Sequence, residues 1–168
     1  MTTEASRPAG DNLQIYHALR NQLLSLNPQD VEITPTPDLP NAWGCLMEFI
    51  LLKSVVTLAA IVDGTASLYF STGGGILGSG NHNAVGDAAR EMVSEAEAAL
   101  AFTEPVSVFP LPSEGHIRFY ILTHAGIYTK ECPETALSIR KHKLSKLFSA
   151  GQNLITQIKL VSEKKANG

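Results

Sequence analysis

The chain has 168 residues, of which 44% are hydrophobic and 17% charged, and its formal net charge is −3 at neutral pH. That is the length of one ordinary domain, long enough to bury a core without staples and too apolar for disorder except at the ends. A pI near 5.9 excludes the broad basic excess of a nucleic-acid binder, and the two distant cysteines, Cys45 and Cys132, lack the paired short spacing of a metal site.

Residues 1–10 read as a frayed tail with no apolar signal segment, which implies a cytoplasmic protein with reduced, partly buried thiols. Asp11 is placed to cap a helix from Asn12 to about Leu26, because Leu13, Tyr16, Leu19/Arg20, Leu23 and Leu24 recur at helical spacing. Asn27 to Asn41 carries Pro28, Pro35, Pro37 and Pro40 and reads as an extended connector, with Val31-Glu32-Ile33 as a short edge strand inside it.

Gly44 to Leu51 and Val55 to Val62 read as strands. Together Cys45 to Val62 reaches the lower length of a membrane span. Glu48 and Lys53 inside it, and the Asp63-Gly64 turn after it, favour two buried strands instead. Asp63-Gly64 is the dipeptide of a two-residue type I′ hairpin, and Thr65 to Ser71 is the return strand. Such continuous apolar runs predict a sheet covered on both faces.

The return strand leads into STGGGILGSG, residues 71–80, whose five glycines are incompatible with ordinary strand. Asn81 or Asn83 then caps a helix over about Ala84 to Phe102. Its apolar face is Val85, Ala88/Ala89, Met92, Ala96 and Leu100, and its other face is acidic. Three strands follow at Pro105–Leu111, His116–Leu122 and Ile127–Glu131, joined by turns at Pro112–Gly115 and Thr123–Gly126. Leu144 to Val161 is periodic as a closing helix, 133–143 is open between helix and loop, and 162–168 is a polar tail. The expectation is one α+β domain over 11–161, with an antiparallel sheet of five or six strands and flanking helices.

Helix, hairpin strands, helix, three-strand meander and closing helix is the order of profilin-like folds, and it most resembles the roadblock/LC7 domains. The string DGTASLYFSTGGG is also similar to a segment of small bacterial proteins, from which no activity transfers. Roadblock domains are non-enzymatic dimerisation and GTPase-regulator platforms, so the resemblance implies interaction rather than catalysis.

Two sets of residues are candidates for function. Ser71, Thr72, Gly73, Gly74, Gly75, Gly78, Ser79, Gly80, Asn81 and His82 lie before a helix, where successive amides of a glycine-rich turn and a helix N-terminus can hold an anion. The loop lacks the lysine of a P-loop. The second set is an interface. Trp43 follows the proline segment, and Arg140, Lys141, Lys143 and Lys146, with His142 among them, form the one basic cluster, opposite in sign to the acidic helix face that it could meet across a dimer. No histidine pair has metal-ligand spacing and no Gly-x-Ser-x-Gly is present. The sequence therefore points to a non-catalytic interaction or regulatory module that homodimerises, with no cofactor, metal, nucleic acid or membrane. Its alternative is a binder of a small phosphate- or carboxylate-bearing ligand at 71–81.

Overall fold

The computed structural model describes residues 9–76 and 83–167. The fold is α+β. Helix α1 (Ala9–Leu24) is followed by a 3-10 turn (Pro28–Val31) and strands β1 (Ala42–Leu51), β2 (Ser54–Ile61), β3 (Ala66–Phe70) and β4 (Gly75–Ile76). Helix α2 (Asn83–Ala99) comes next, then β5 (Glu104–Val106), β6 (His116–Thr123), β7 (Gly126–Pro133), α3 (Glu134–Ser138) and α4 (Ser145–Asn167). One open antiparallel sheet holds all seven strands in the order β4-β3-β2-β1-β6-β7-β5.

Both faces of the sheet are covered, as the apolar runs require. On one face Cys45, Met47, Leu58, Phe119 and Ile121 pack against Val85, Ala89, Met92 and Ala96 of α2 and Leu147, Leu154 and Ile158 of α4. Small residues set this layer's spacing. Met47 Sδ lies 2.7 Å from where a side-chain carbon on Gly151 would stand, so α4 approaches β1 through glycine. On the other face Leu46, Ala59, Tyr120 and Leu122 meet Leu24 of α1, Ile33 and Trp43, with Val106 and Phe109 at the margin.

Several sequence expectations are corrected. Among the described residues the sheet has seven strands, not five or six, because one further segment pairs. Gly75–Ile76 returns along β3, with Tyr69 opposite Gly75 and Leu68 opposite Ile76, so part of the glycine-rich segment is strand. The last three strands are not a simple meander. Pro105, Pro110 and Pro112 limit the first to Glu104–Val106, which pairs with β7 and leaves β6 to pair with β1.

The turn chemistry also differs. Asp63-Gly64 is not a type I′ turn, since of the two only Gly64 has positive φ (+94°). Ile61 N–H donates to the Thr65 carbonyl, and Gly64 N–H to the Ile61 carbonyl, which closes a three-residue loop. The two-residue turn with both central residues at positive φ lies between β1 and β2, at Leu52 (+48°) and Lys53 (+67°), where Leu51 pairs with Ser54.

Helix α1 begins at Ala9, so Asp11 sits in its first turn rather than capping it. Val31-Glu32-Ile33 is not a strand. The 3-10 turn, capped by the Asn27 side chain accepting from Gln29 N–H, ends at Glu32 in the left-handed region. Part of the open segment 133–143 is helical as α3, and α4 runs through the polar residues to Asn167.

Candidate functional site

The glycine-rich segment is a tight hairpin where it is described. Gly73, Gly74 and Gly75 have φ of +115°, +85° and +157°, values that side chains resist. Three amides at its head are already spent. Ser71 N–H donates to the Val55 carbonyl (2.9 Å) and Gly73 N–H to the Phe70 carbonyl (3.0 Å). Thr72 N–H donates to Ser54 Oγ at 3.4 Å. The Ser71 hydroxyl accepts from Val55 N–H, and the Thr72 hydroxyl donates to Ser54 Oγ. Asn12 of α1 donates to the Thr72 carbonyl at 3.0 Å, which ties the hairpin to the first helix. Ser71, Thr72, Gly73, Gly74 and Gly75 therefore stand together at the end of β3. Gly78, Ser79, Gly80, Asn81 and His82 lie outside the described residues.

The interface candidates separate. Trp43 is only 3% exposed and packs in the layer under α1, and its indole Nε1 has no hydrogen-bond partner among the described residues. Arg140, Lys141, Lys143 and Lys146 are all exposed around the turn that joins α3 to α4. Lys143 Nζ lies 5.5 Å from the Phe102 ring centre, a cation–π contact to the end of the α2 segment. Of the acidic positions on α2, Glu97 is used locally, its carboxylate accepting from the Asn41 amide at 2.8 Å to fix the entry into β1.

The most developed polar constellation escaped the sequence reading. Glu48 is fully buried in the middle of β1. It accepts from Arg20 Nε (2.7 Å) and Arg20 Nη2 (2.8 Å), a bidentate pair between α1 and the sheet. Thr57 Oγ1 on β2 donates to Glu48 Oε2 at 2.7 Å, which leaves it accepting from the Tyr16 phenol at 2.6 Å. Arg20 also donates to the Pro110 carbonyl, which accepts as well from the Tyr120 phenol. Two guanidinium groups flank the Tyr120 ring, Arg20 at 5.5 Å and Arg118 at 5.9 Å. Arg118 is held in turn by Thr129 Oγ1 (3.1 Å) and Glu131 (3.5 Å).

The electrostatics follow from this packing. Burial, reinforced by the Glu48 charge, pushes the Tyr16 phenol up to about 12. The same two causes raise Tyr120. Burial works against the charge on Arg20, but its hydrogen bonds and attraction to Glu48 prevail and raise its pKa. The bonds of Tyr16 and Arg20 hold α1 on the sheet, and those of Arg20 and Tyr120 to the Pro110 carbonyl hold the 107–112 loop, while Arg118 Nε is buried with no partner among the described residues. The signal for it was present: an acid in an otherwise apolar strand demands a buried cation, and Arg20 interrupts the apolar stripe of the first helix.

No family model, curated protein or solved structure matches the chain.

Shallow depressions among the described residues include ones of about 270, 230 and 290 Å³. Among the described residues no cluster of three or more His, Cys, Asp or Glu has metal-binding geometry, and no helix is long and apolar enough to cross a membrane. Cys45 and Cys132 are both free and buried. They sit on β1 and β7 with β6 between them, beyond disulfide reach. Burial raises both thiols.

Proposed function

We propose that this chain is a non-catalytic interaction module that pairs with a second copy of itself. The observation that carries this reading is the tip of the β1–β2 hairpin. Leu52 has φ of +48° and is 92% exposed, beside Leu51 at 52%. Asn or Gly adopts this turn position at little cost, whereas a leucine is strained there and buries nothing within its own chain. Residues held in such conformations persist where the surrounding structure over-determines them, here the β1–β2 register, and they cluster at functional sites. Burial of Leu51 and Leu52 against another protein would offset that strain.

Other features support the same reading. Leu13 and Ile15 on α1, Val108 and Ile139 are also exposed. Buried Glu48, Arg20 and Tyr16 are engaged in holding α1, and the order of elements that resembles roadblock/LC7 domains agrees with a role in assembly. Light scattering coupled to size exclusion tests the reading on the wild-type chain and on Leu52→Asn. The expected result is a wild-type dimer that the substitution loosens at least tenfold, without loss of secondary structure by circular dichroism. A wild-type monomer at tens of micromolar, or a dimer indifferent to Leu52→Asn, would count against the tip as the contact.

A further inference from the structure

We propose that the second copy is engaged by exchange of α1, the helix of one protomer docking on the sheet of its partner and reciprocally. This rests on the self-association reading above and specifies its geometry.

Helix α1 docks through a narrow stripe. Tyr16, Arg20 and Leu24, spaced four apart, are buried, while the other described side chains of the helix are exposed or half-buried. The stripe is specific rather than merely apolar, because its centre is the bidentate pair to Glu48. A helix without a cation at that position would leave Glu48 buried and uncompensated, so the sheet face selects an α1 of its own kind. A second copy is the partner that supplies the same tyrosine, arginine and leucine at the same spacing.

The rest of the fold does not need α1 from its own chain. The buried side chains of the core between the sheet and α2/α4 begin at Ala42. Between the last docked residue of the α1 unit, Ile33, and half-buried Leu39 lie five consecutive exposed residues, Thr34 to Asp38, with Pro35 and Pro37 among them. In the closed chain they fold back through a turn in which Thr36 and Leu39 exchange backbone hydrogen bonds, both 3.2 Å. Opening that turn lets water replace those bonds and extends five residues over about 17 Å. Proline already restricts such a segment to extended conformers. Closed and exchanged forms keep identical α1 contacts, and the exchanged form is a two-fold isologous dimer.

Complementation between two defective chains tests the exchange. Arg20→Met leaves Glu48 without its cation, and Glu48→Leu leaves Arg20 without its anion. In an exchanged heterodimer one docking site is the native Arg20–Glu48 pair, and the other is an apolar contact between the two replacements. The variants, carrying different tags, are unfolded in urea, mixed and refolded as full chains, then read by native mass spectrometry and thermal melting. The expected result is a heterodimer in at least tenfold excess over either homodimer, melting above both variants alone. A mixture whose melt is the sum of its separate components, or whose folded yield is no better than each variant alone, overturns the exchange. The Arg20→Met/Glu48→Leu chain is the control: it folds unaided, which shows that the apolar contact is tolerated. A wild-type dimer without complementation rejects only the exchange, and a wild-type monomer rejects the self-association reading as well.

Discussion

Removing one partner of the Arg20–Glu48 pair is the sharpest perturbation of stability the structure offers. Glu48 is fully buried and accepts three hydrogen bonds, two of them from Arg20. Arg20→Met would leave a carboxylate in the sheet interior with only the Thr57 hydroxyl. An uncompensated buried charge of this kind costs about 3–5 kcal/mol. For a chain of this size that is a fall in Tm of roughly 6–20 °C. Glu48→Leu should cost a similar amount by stranding the guanidinium. The double variant removes both charges, and well-packed apolar replacements of buried pairs are often neutral or stabilising by about 1–4 kcal/mol. Urea denaturation of the four chains gives the coupling energy directly. Single losses below about 1 kcal/mol, the range of exposed pairs, or a double variant as damaged as the sum of the singles, would refute the assignment of this pair as the anchor of α1.

Other expectations are simpler. Tyr16 is raised in the folded state to about 12, so its contribution is fully present below its unfolded value near 10 and is lost as pH rises through about 12. Stability should therefore fall by about 2–3 kcal/mol across that window, and Tyr16→Phe should flatten the fall in alkaline urea titrations. Placing Asn at Leu52 and Gly at Lys53 relieves two strained positive-φ residues and should raise monomer stability by about 1 kcal/mol in chemical denaturation. Gly151→Ala drives a methyl group against Met47 at 2.7 Å and should destabilise by about 1–3 kcal/mol despite alanine's helix propensity, as read from the urea midpoint. Cys45 and Cys132, buried with raised pKa values, should react with a thiol reagent only at the rate of unfolding.

Much of the fold was legible because the apolar pattern was strong. The runs Gly44–Leu51 and Val55–Val62 could only be buried strands once Glu48 and Lys53 ruled out a membrane, and the stripe of Val85, Met92 and Ala96 marked α2. What misled was local chemistry overridden by context. Asp63-Gly64 has the residues of a type I′ turn, yet Asp63 Oδ1 accepts from the Thr65 amide at 2.9 Å and the chain takes a longer loop. Leu52-Lys53 has none of those residues and makes the tight turn, because the β1–β2 register places Leu51 opposite Ser54. Pro105 and its neighbours should have demoted the fifth strand to a short edge. At the candidate site, the glycine segment was visible in sequence, but its hairpin pairing depends on β3 and was not. Glu48 and Arg20 each stood out in an apolar pattern, but their pairing was not legible, because the members lie 28 and 9 residues apart in the chain and meet only through packing.

Sedimentation equilibrium of the wild-type chain over a range of micromolar concentrations tests whether the chain self-associates. A species of twice the 18.0 kDa chain mass, dissociating only on dilution, is the expected result. A mass of 18.0 kDa at every concentration would contradict it.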